Sequence, residues 1–427
     1  MTGGADTLVQ LFTAQAELSR DPSDLSAWHE VAVGLAAAGD AAAGARALAE
    51  LGQAAADAGL LPLALLAAKE LELLDDPASR KLVADLARLY GAGSSRVDPK
   101  SRPRPPALPA SASARGPTPP PVPADALPGR DEVLEAARRV AVATAARARR
   151  ERTRAPVPAY PLFSSLPQEA FIALLGLLRP RTLSAGEVVF REGQPGGSIF
   201  IVARGTIEIA RGRHTLAHLR SGTFFGEMAL LTAQPRTATA TATVPAVLFE
   251  VERAGLEALA QKEPLVGTVL AEHCRRRLLE NLVASSPLFR AVPPSERGAV
   301  IARFRMLTSE PGQELLREGT QGEGLHVIVS GRVDVHKRDG AEVLQLSSLV
   351  PGEVFGEISL VRDRPVSATV SASERTVTLF LPRAEFEELA GTYPALVGAV
   401  YALVTEREKT LDAALQAPAE PADDFLV

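Results

Sequence analysis

Two stretches of the chain share one eighteen-residue frame: FGEMALLTAQPRTATATA from Phe225 to Ala242, and FGEISLVRDRPVSATVSA from Phe355 to Ala372. Both keep the glycine, the carboxylate, the proline and the Ala-Thr pair, but Arg236 of the first copy is Val366 in the second. Outward from the frame, Pro161-Leu162-Phe163 matches Pro287-Leu288-Phe289, Arg191-Glu192-Gly193 matches Arg317-Glu318-Gly319, and Gly205 matches Gly331, all at one constant spacing. Beyond those glycines the spacing grows by four residues, where the second copy carries Lys337-Arg338-Asp339-Gly340, a hairpin-turn signal. The chain therefore contains an internal duplication whose copies differ by the length of one hairpin.

Within each copy, short alternating runs such as Thr206-Ile207-Glu208-Ile209 and Val333-Asp334-Val335 are separated by glycine turns, the pattern of a small antiparallel roll. Helical periodicity follows each roll, from Arg253 to Ala284 and from Arg383 to Leu415. The fold class is multidomain α+β: an N-terminal all-α, helical-repeat-like region, a Pro-rich linker, and two antiparallel β-roll (jelly-roll) domains, each with C-terminal helices. The expected boundaries are 1–95 for the helical region, 96–130 for a disordered linker, 131–158 for a basic Ala/Arg helix, 159–284 and 285–415 for the two rolls, and 416–427 for an acidic tail.

The N-terminal region is punctuated at Asp21-Pro22, Gly39-Asp40, Ala58-Gly59 and Asp75-Asp76-Pro77, as stacked antiparallel helices would be. Leu63 to Pro77 resembles the end of a tetratricopeptide repeat, where an amphipathic helix stops at an acidic-proline turn; this implies a partner-docking surface, and a plain helical bundle is the alternative. Pro99 to Pro128 holds a third of the chain's 33 prolines and reads as a semi-extended spacer. The helix from Asp131 to Arg154 carries Arg147, Arg149, Arg150, Arg152 and Arg154 and reads as a solvated helix leading into the next domain.

Composition narrows the function. With 427 residues, 46% of them hydrophobic, the chain has ample material for real cores, and a net charge of −5 implies no global attraction to nucleic acid or anionic lipid. The single cysteine, Cys274, excludes an internal disulfide and a thiolate metal cluster, and fits a reducing compartment. The N-terminus has no secretory pattern and no apolar run is long enough to span a bilayer, so the expected location is cytoplasmic. His214 and His218 share one strand face without nearby Cys or carboxylate ligands, so no metal site is expected. No nucleophile–base arrangement is visible, and no enzymatic activity is expected.

The repeated frame carries the chemistry. Phe-Gly-Glu opens a helical turn whose free amides, with a glycine that lets the backbone come close, make half an anion site. Arg236, following Pro235, can grip two phosphate oxygens in a bidentate fork. Glu227 beside it would repel a phosphate unless its carboxylate meets a donor such as a sugar hydroxyl. A phosphate with an attached ribose satisfies all three groups.

On these motifs both units resemble the cyclic nucleotide-binding domain shared by the catabolite activator protein, protein kinase regulatory subunits and gated channels, over Tyr160 to Leu415. The resemblance implies that Glu227 accepts the ribose 2′-hydroxyl, that amides around Gly226, Met228 and Ala229 meet the cyclic phosphate, and that Arg236 pairs with it. Thr237, followed by Ala238, falls where cyclic GMP-dependent kinases have a threonine that meets the guanine amino group, so the ligand is cyclic AMP or cyclic GMP. The second copy keeps Gly356 and Glu357 but has Val366 and Ser367 where the first has Arg236 and Thr237. Losing one partner of a buried charge pair costs about 2–5 kcal/mol, so the second site is expected to be degenerate and to act as a relay or docking module.

The expected function is a cyclic nucleotide sensor and signalling adaptor that binds a protein partner through its N-terminal helices. The alternatives are a constitutive scaffold with non-binding rolls and the regulatory subunit of a separate enzyme such as a kinase. Kinase regulatory subunits share the layout, and Arg138-Arg139-Val140-Ala141-Val142 resembles their pseudosubstrate pattern, although it falls in a predicted helix. No helix-turn-helix follows the second roll, so DNA is not an expected partner. The tail ending Asp424-Phe425-Leu426-Val427 reads as a disordered end.

Overall fold

The computed structural model describes residues 3–101, 127–152, 155–160, 162–227, 235–339 and 342–416, which fall into two compact units divided within a helix at His273/Cys274. The first unit begins with α1 (Gly3–Arg20), α2 (Leu25–Ala37), α3 (Ala41–Asp57), α4 (Leu61–Leu73) and α5 (Ala78–Tyr90), each packed on the next. Local chemistry sets the breaks. The Asp24 carboxylate accepts from the Ser26 and Ala27 amides and Asp40 from Ala43, while Gly39 and Gly59 turn the chain with φ of 102° and 79°.

After β1 (Val97–Asp98) the described chain resumes before α6 (Arg130–Glu151) and β2 (Val157–Pro158). Strands β1 and β2 pair in parallel, Val97 with Val157 and Asp98 with Pro158, and Arg96 donates to the Ala155 carbonyl at 2.9 Å. The chain thus returns to the place it left. The proline-rich stretch 102–126 lies outside the described residues.

Helix α6 is not the solvated connector its basic sequence suggested. Val133, Ala137, Ala141 and Ala145 form a stripe at four-residue spacing, all buried, and the helix packs against α1, α2 and α3. Its cations meet acidic partners on that layer: Arg138 pairs with Asp40, Arg149 holds Glu50 through two bonds of 2.6 and 2.8 Å, and Arg152 lies 3.3 Å from Asp57.

Next come α7 (Gln168–Gly176), β3 (Arg179–Leu183), β4 (Val188–Phe190), β5 (Ser198–Arg204), β6 (Thr206–Arg211), β7 (His214–Arg220), β8 (Phe224–Phe225), β9 (Thr239–Ala242) and β10 (Ala246–Glu252). They build two four-stranded sheets, ordered β3-β10-β5-β8 and β4-β9-β6-β7. Helices α8 (Arg253–Lys262) and α9 (Pro264–Ser285) follow.

Strand β5 is buried on both faces. Phe200 and Val202 point into the roll with Phe225, Ile207 and Leu248, whereas Ile199, Ile201 and Ala203 point the other way into a core shared with the N-terminal helices. Strand β10 divides likewise, Leu248 inward, Val247, Phe249 and Val251 outward. Polar ties follow the same seam: the Tyr160 hydroxyl donates to the Gly59 carbonyl at 2.9 Å, and Arg204 pairs with Glu30 at 2.7 Å.

In the second unit, α10 (Pro287–Arg290) and α11 (Arg297–Ile301) precede β11 (Arg305–Ser309), β12 (Glu314–Leu316), β13 (Gly324–Ser330), β14 (Val333–Asp339), β15 (Glu342–Leu349), β16 (Val354–Phe355), α12 (Glu357–Arg362), β17 (Thr369–Ala372) and β18 (Thr376–Pro382). Helices α13 (Arg383–Thr392) and α14 (Pro394–Gln416) end it. The sheet orders β11-β18-β13-β16 and β12-β17-β14-β15 repeat those of the first roll, and the β14–β15 hairpin is the lengthened one. Among the described residues no helix is long and apolar enough to cross a membrane.

Two consequences are measurable. A protease site engineered between residues 110 and 115 and then cut should leave both fragments in one particle on gel filtration, because β1–β2 and the α6 contacts join them; separate elution would contradict the shared layer. Burial, aided by the positive charge of Arg204, holds the His29 ring at a pKa of about 3 against an ordinary 6.5. The unfolded chain gains that proton below about pH 6.5 while the folded unit refuses it, so the stability this residue contributes is complete above that pH and is lost on acidification. Replacing His29 with Leu should flatten the acid limb of the first unit's urea midpoints, by about 2–3 kcal/mol between pH 7 and pH 4.5 at roughly 1.4 kcal/mol per unit.

Candidate functional site

The Phe225-Gly226-Glu227 turn sits at the end of β8, and Gly226 adopts φ of 83°, a left-handed conformation that disfavours a side chain. A Cβ there would also lie 2.7 Å from a terminal nitrogen of Arg236. The glycine therefore serves both the turn and the close approach of the guanidinium.

Arg236 is buried, and so is Glu227. Its backbone is pinned to the facing loop, with the Arg236 amide donating to the Gln194 carbonyl and the Gly193 amide donating to the Arg236 carbonyl, both at 2.8 Å. The guanidinium donates to the carbonyls of Gly226 and Ser198, again at 2.8 Å each, and lies 4.2 Å from the centre of the Phe190 ring and 5.6 Å from that of Phe200. Burial lowers its pKa from the ordinary arginine value, opposed by the nearby charges of Glu250 and Glu227. Phe190, Phe200 and Phe225 stand within 5.2–5.9 Å of one another, an aromatic box of which Phe190 and Phe200 face the cation.

Of the residues singled out from sequence, Gly226, Glu227 and Arg236 are brought together. Thr237 follows directly, half-buried, its carbonyl accepting from Arg211 at 3.0 Å, and Ala238 is buried in the next position. Met228 and Ala229 lie outside the described residues.

The second copy has the same skeleton without the cation. Gly356 repeats the left-handed turn at φ of 86°, Glu357 is buried, and Val366 is tied to the facing loop by the same pair of backbone bonds, to Thr320 and from Gly319. The Val366 side chain is itself buried, with Ser367 half-buried beside it. The carbonyl that the guanidinium holds in the first copy is held here by a hydroxyl, Ser359 Oγ donating to the Gly356 carbonyl at 3.0 Å. Arg383 fixes the turn from below, donating to the carbonyls of Ser359 at 3.1 Å and Gly322 at 3.2 Å.

The box changes with the cation. Leu316 and His326 stand where the first copy has Phe190 and Phe200, and the His326 ring stacks on Phe355 at 4.6 Å. Burial lowers the His326 pKa to about 4, so the ring is neutral near pH 7. Sequence reading from the FGE frame alone missed this linked set. The signal lay upstream, at the positions where the two copies exchange Phe for Leu and His.

Arg236→Val alone should cost stability because it strands the Gly226 and Ser198 carbonyls without the compensating hydroxyl. The expected loss is about 1–3 kcal/mol in urea unfolding of the first unit; an unchanged midpoint would mean that those bonds contribute nothing.

Residues 180–263 and 307–393 match the family described as cyclic nucleotide-binding domain. Over 230 residues the chain is 30% identical to the cAMP-dependent protein kinase regulatory subunit of Yarrowia lipolytica, covering 54% of this chain and 59% of that one. The type II regulatory subunit of Drosophila melanogaster is 29% identical over 233 residues, with the same two shares. The chain spans little more than half the length of these curated relatives. Among solved structures, the regulatory domain of Toxoplasma gondii PKA with cAMP is 24% identical, covers 58% of this chain and 92% of that one, and has a TM-score of 0.29. The Thermus thermophilus catabolite activator protein is 30% identical, with shares of 30% and 62% and a TM-score of 0.29.

Proposed function

The chain carries two cyclic nucleotide-binding domains, and from that premise we propose that the first is the sensing site of a non-catalytic signalling protein. The observation that carries the reading is the buried pair of opposite charges, Glu227 and Arg236, at the glycine turn of the first roll, with only the carboxylate kept in the second. A cyclic phosphate would take the guanidinium's donors from the Gly226 and Ser198 carbonyls, exchanging neutral acceptors for an anion. Glu227 would accept from a ribose hydroxyl, and Thr237 and Ala238 would border the ligand, which is cyclic AMP or cyclic GMP.

Neighbouring residues give the turn two readouts. Phe225 belongs to the roll's interior beside Arg236, while Phe224 belongs to the core shared with the N-terminal helices and meets the His273 ring of α9 at 5.2 Å. A shift of the turn on binding would move both. Ligand would drive the change to the extent that it prefers one position of α9 over another, and the N-terminal helices would carry the result to a protein partner.

The curated relatives are named as regulatory subunits of cAMP-dependent protein kinase, which supports a kinase as that partner. The Arg138–Val142 stretch is a poor candidate for an inhibitory segment, because Ala141 is buried and Arg138 is engaged by Asp40. A kinase contact would use another surface.

Calorimetric titration of cyclic AMP and cyclic GMP into the intact protein and into Arg236→Ala tests the reading. One site is expected, weakened by about 30-fold or more in the variant, the equivalent of 2 kcal/mol or greater. No heat from either nucleotide in the intact protein would leave the scaffold reading in its place.

A further inference from the structure

The N-terminal helices hold a groove of about 840 Å³, a volume in the range of binding sites. It is bordered by α3, α5, the loop from Gly93 to Arg96 and Arg152 just past the end of α6. On α5 the lining residues are Ala78, Lys81, Leu82, Asp85, Arg88 and Leu89, one stripe at helical spacing, so the groove follows the helix for about 16 Å. That length suits an extended chain of about five residues better than a compact ligand held at one point.

Charge selects the occupant. Among the described residues the lining carries four cations, Lys81, Arg88, Arg96 and Arg152, against two carboxylates, Glu50 and Asp85. Both carboxylates are already engaged, Glu50 by Arg149 and Asp85 by Arg88. Asp57 serves Arg96 and Arg152 together, 3.3 Å from each, and Lys81 is exposed. The groove is thus a positive island on a chain of net charge −5. No aromatic side chain is among its described lining residues, so it offers no stacking platform for nucleic-acid bases. The chain's own proline-rich stretch has the wrong sign, since residues 102–124 bring three arginines and no carboxylate.

We propose that this groove binds an extended acidic segment of a partner protein. The four cations face the segment's carboxylates, and Gln53 and Ser95 meet its main chain. The proposal names the chemistry of the partner read for the N-terminal helices and rests on that reading, but not on what the first roll binds.

The test is fluorescence anisotropy of a labelled peptide of alternating Glu and Gly, and of its Gln counterpart, with the full-length protein at low salt. The acidic peptide should saturate, and the Gln peptide should bind about tenfold or more weakly. Lys81→Glu should weaken the acidic peptide by about tenfold or more. Arg80→Glu, the same charge change on an exposed neighbour outside the groove, should shift it by less than about threefold. Gln53→Trp, which fills the groove, should abolish binding. Thermal melts report whether each variant is folded, and the exposed Lys81→Glu decides if Gln53→Trp is not. The proposal is overturned if the acidic peptide does not saturate below about 1 mM, if Lys81→Glu and Arg80→Glu weaken it alike, or if binding survives in folded Gln53→Trp. Equal binding of both peptides, lost in Gln53→Trp, would keep the helices as a peptide dock and overturn the acidic assignment. A thymidine oligonucleotide that binds more tightly than the peptide and is weakened by Lys81→Glu would give the groove to nucleic acid and overturn it too. Calorimetric titration of Lys81→Glu with cyclic AMP reads the first roll separately, so the groove and the sensing site fail independently.

Discussion

Strand β5 has no face left for solvent, and the organisation of the first unit follows from that. Phe200 and Val202 fill the roll while Ile199, Ile201 and Ala203 fill a core shared with the helices, so one seven-residue strand belongs to two hydrophobic interiors. Removing the helices would uncover Ile199, Ile201, Phe249 and Val251 together. Burying one such side chain is worth about 1.5–3 kcal/mol, and a whole stability of about 5–15 kcal/mol does not survive the loss of several. The helical layer is thus part of the roll's structure. The same alternation at Phe224 and Phe225 connects the glycine turn to both interiors.

The duplicated frame acquires a physical meaning at the guanidinium. A buried arginine needs its donors met and its charge accommodated. The first roll meets its terminal nitrogens with two carbonyls and sets the charge beside two phenyl rings, with two carboxylates nearby. Taking away the cation alone would leave stranded acceptors, so its replacement by Val366 goes together with a hydroxyl at Ser359 and a smaller wall at Leu316. The two copies are different solutions to holding one glycine turn.

Much of this was legible in sequence, and the parts that were not share a cause. The period-two runs, the hairpin insertion and the residues of the FGE frame are local signals, and the sheets follow them closely. Helix α6 misled because its arginines dominate its composition while its buried stripe is mostly alanine, which carries little hydrophobic signal at Ala137, Ala141 and Ala145. The acidic residues that neutralise it, Asp40, Glu50 and Asp57, are about a hundred positions away in the chain. The pairing of Val97 with Val157 likewise bridges a long separation in the chain. For the site, the frame identified the charged pair but not the rings beneath it, since Phe190 and Phe200 read as ordinary core residues until a cation is placed among them.

Asymmetry between the rolls also constrains how a ligand's effect travels. In the second roll, Arg383 at the start of α13 donates to the Ser359 carbonyl within α12, so the helix that follows the roll and the helix of the turn are joined by a bond within the protein. The first roll has Arg253 at the corresponding position, donating at 3.5 Å to the Gly196 carbonyl, the counterpart of Gly322. Both rolls therefore tie the first helix after the sheet to the same loop, and differ in what holds the turn itself. In the first that holder is a guanidinium bonded to the Gly226 and Ser198 carbonyls. In the second it is a serine hydroxyl bonded three residues back along the chain. The difference between the two turns thus comes down to the chemistry of one side chain, Arg236 against Val366.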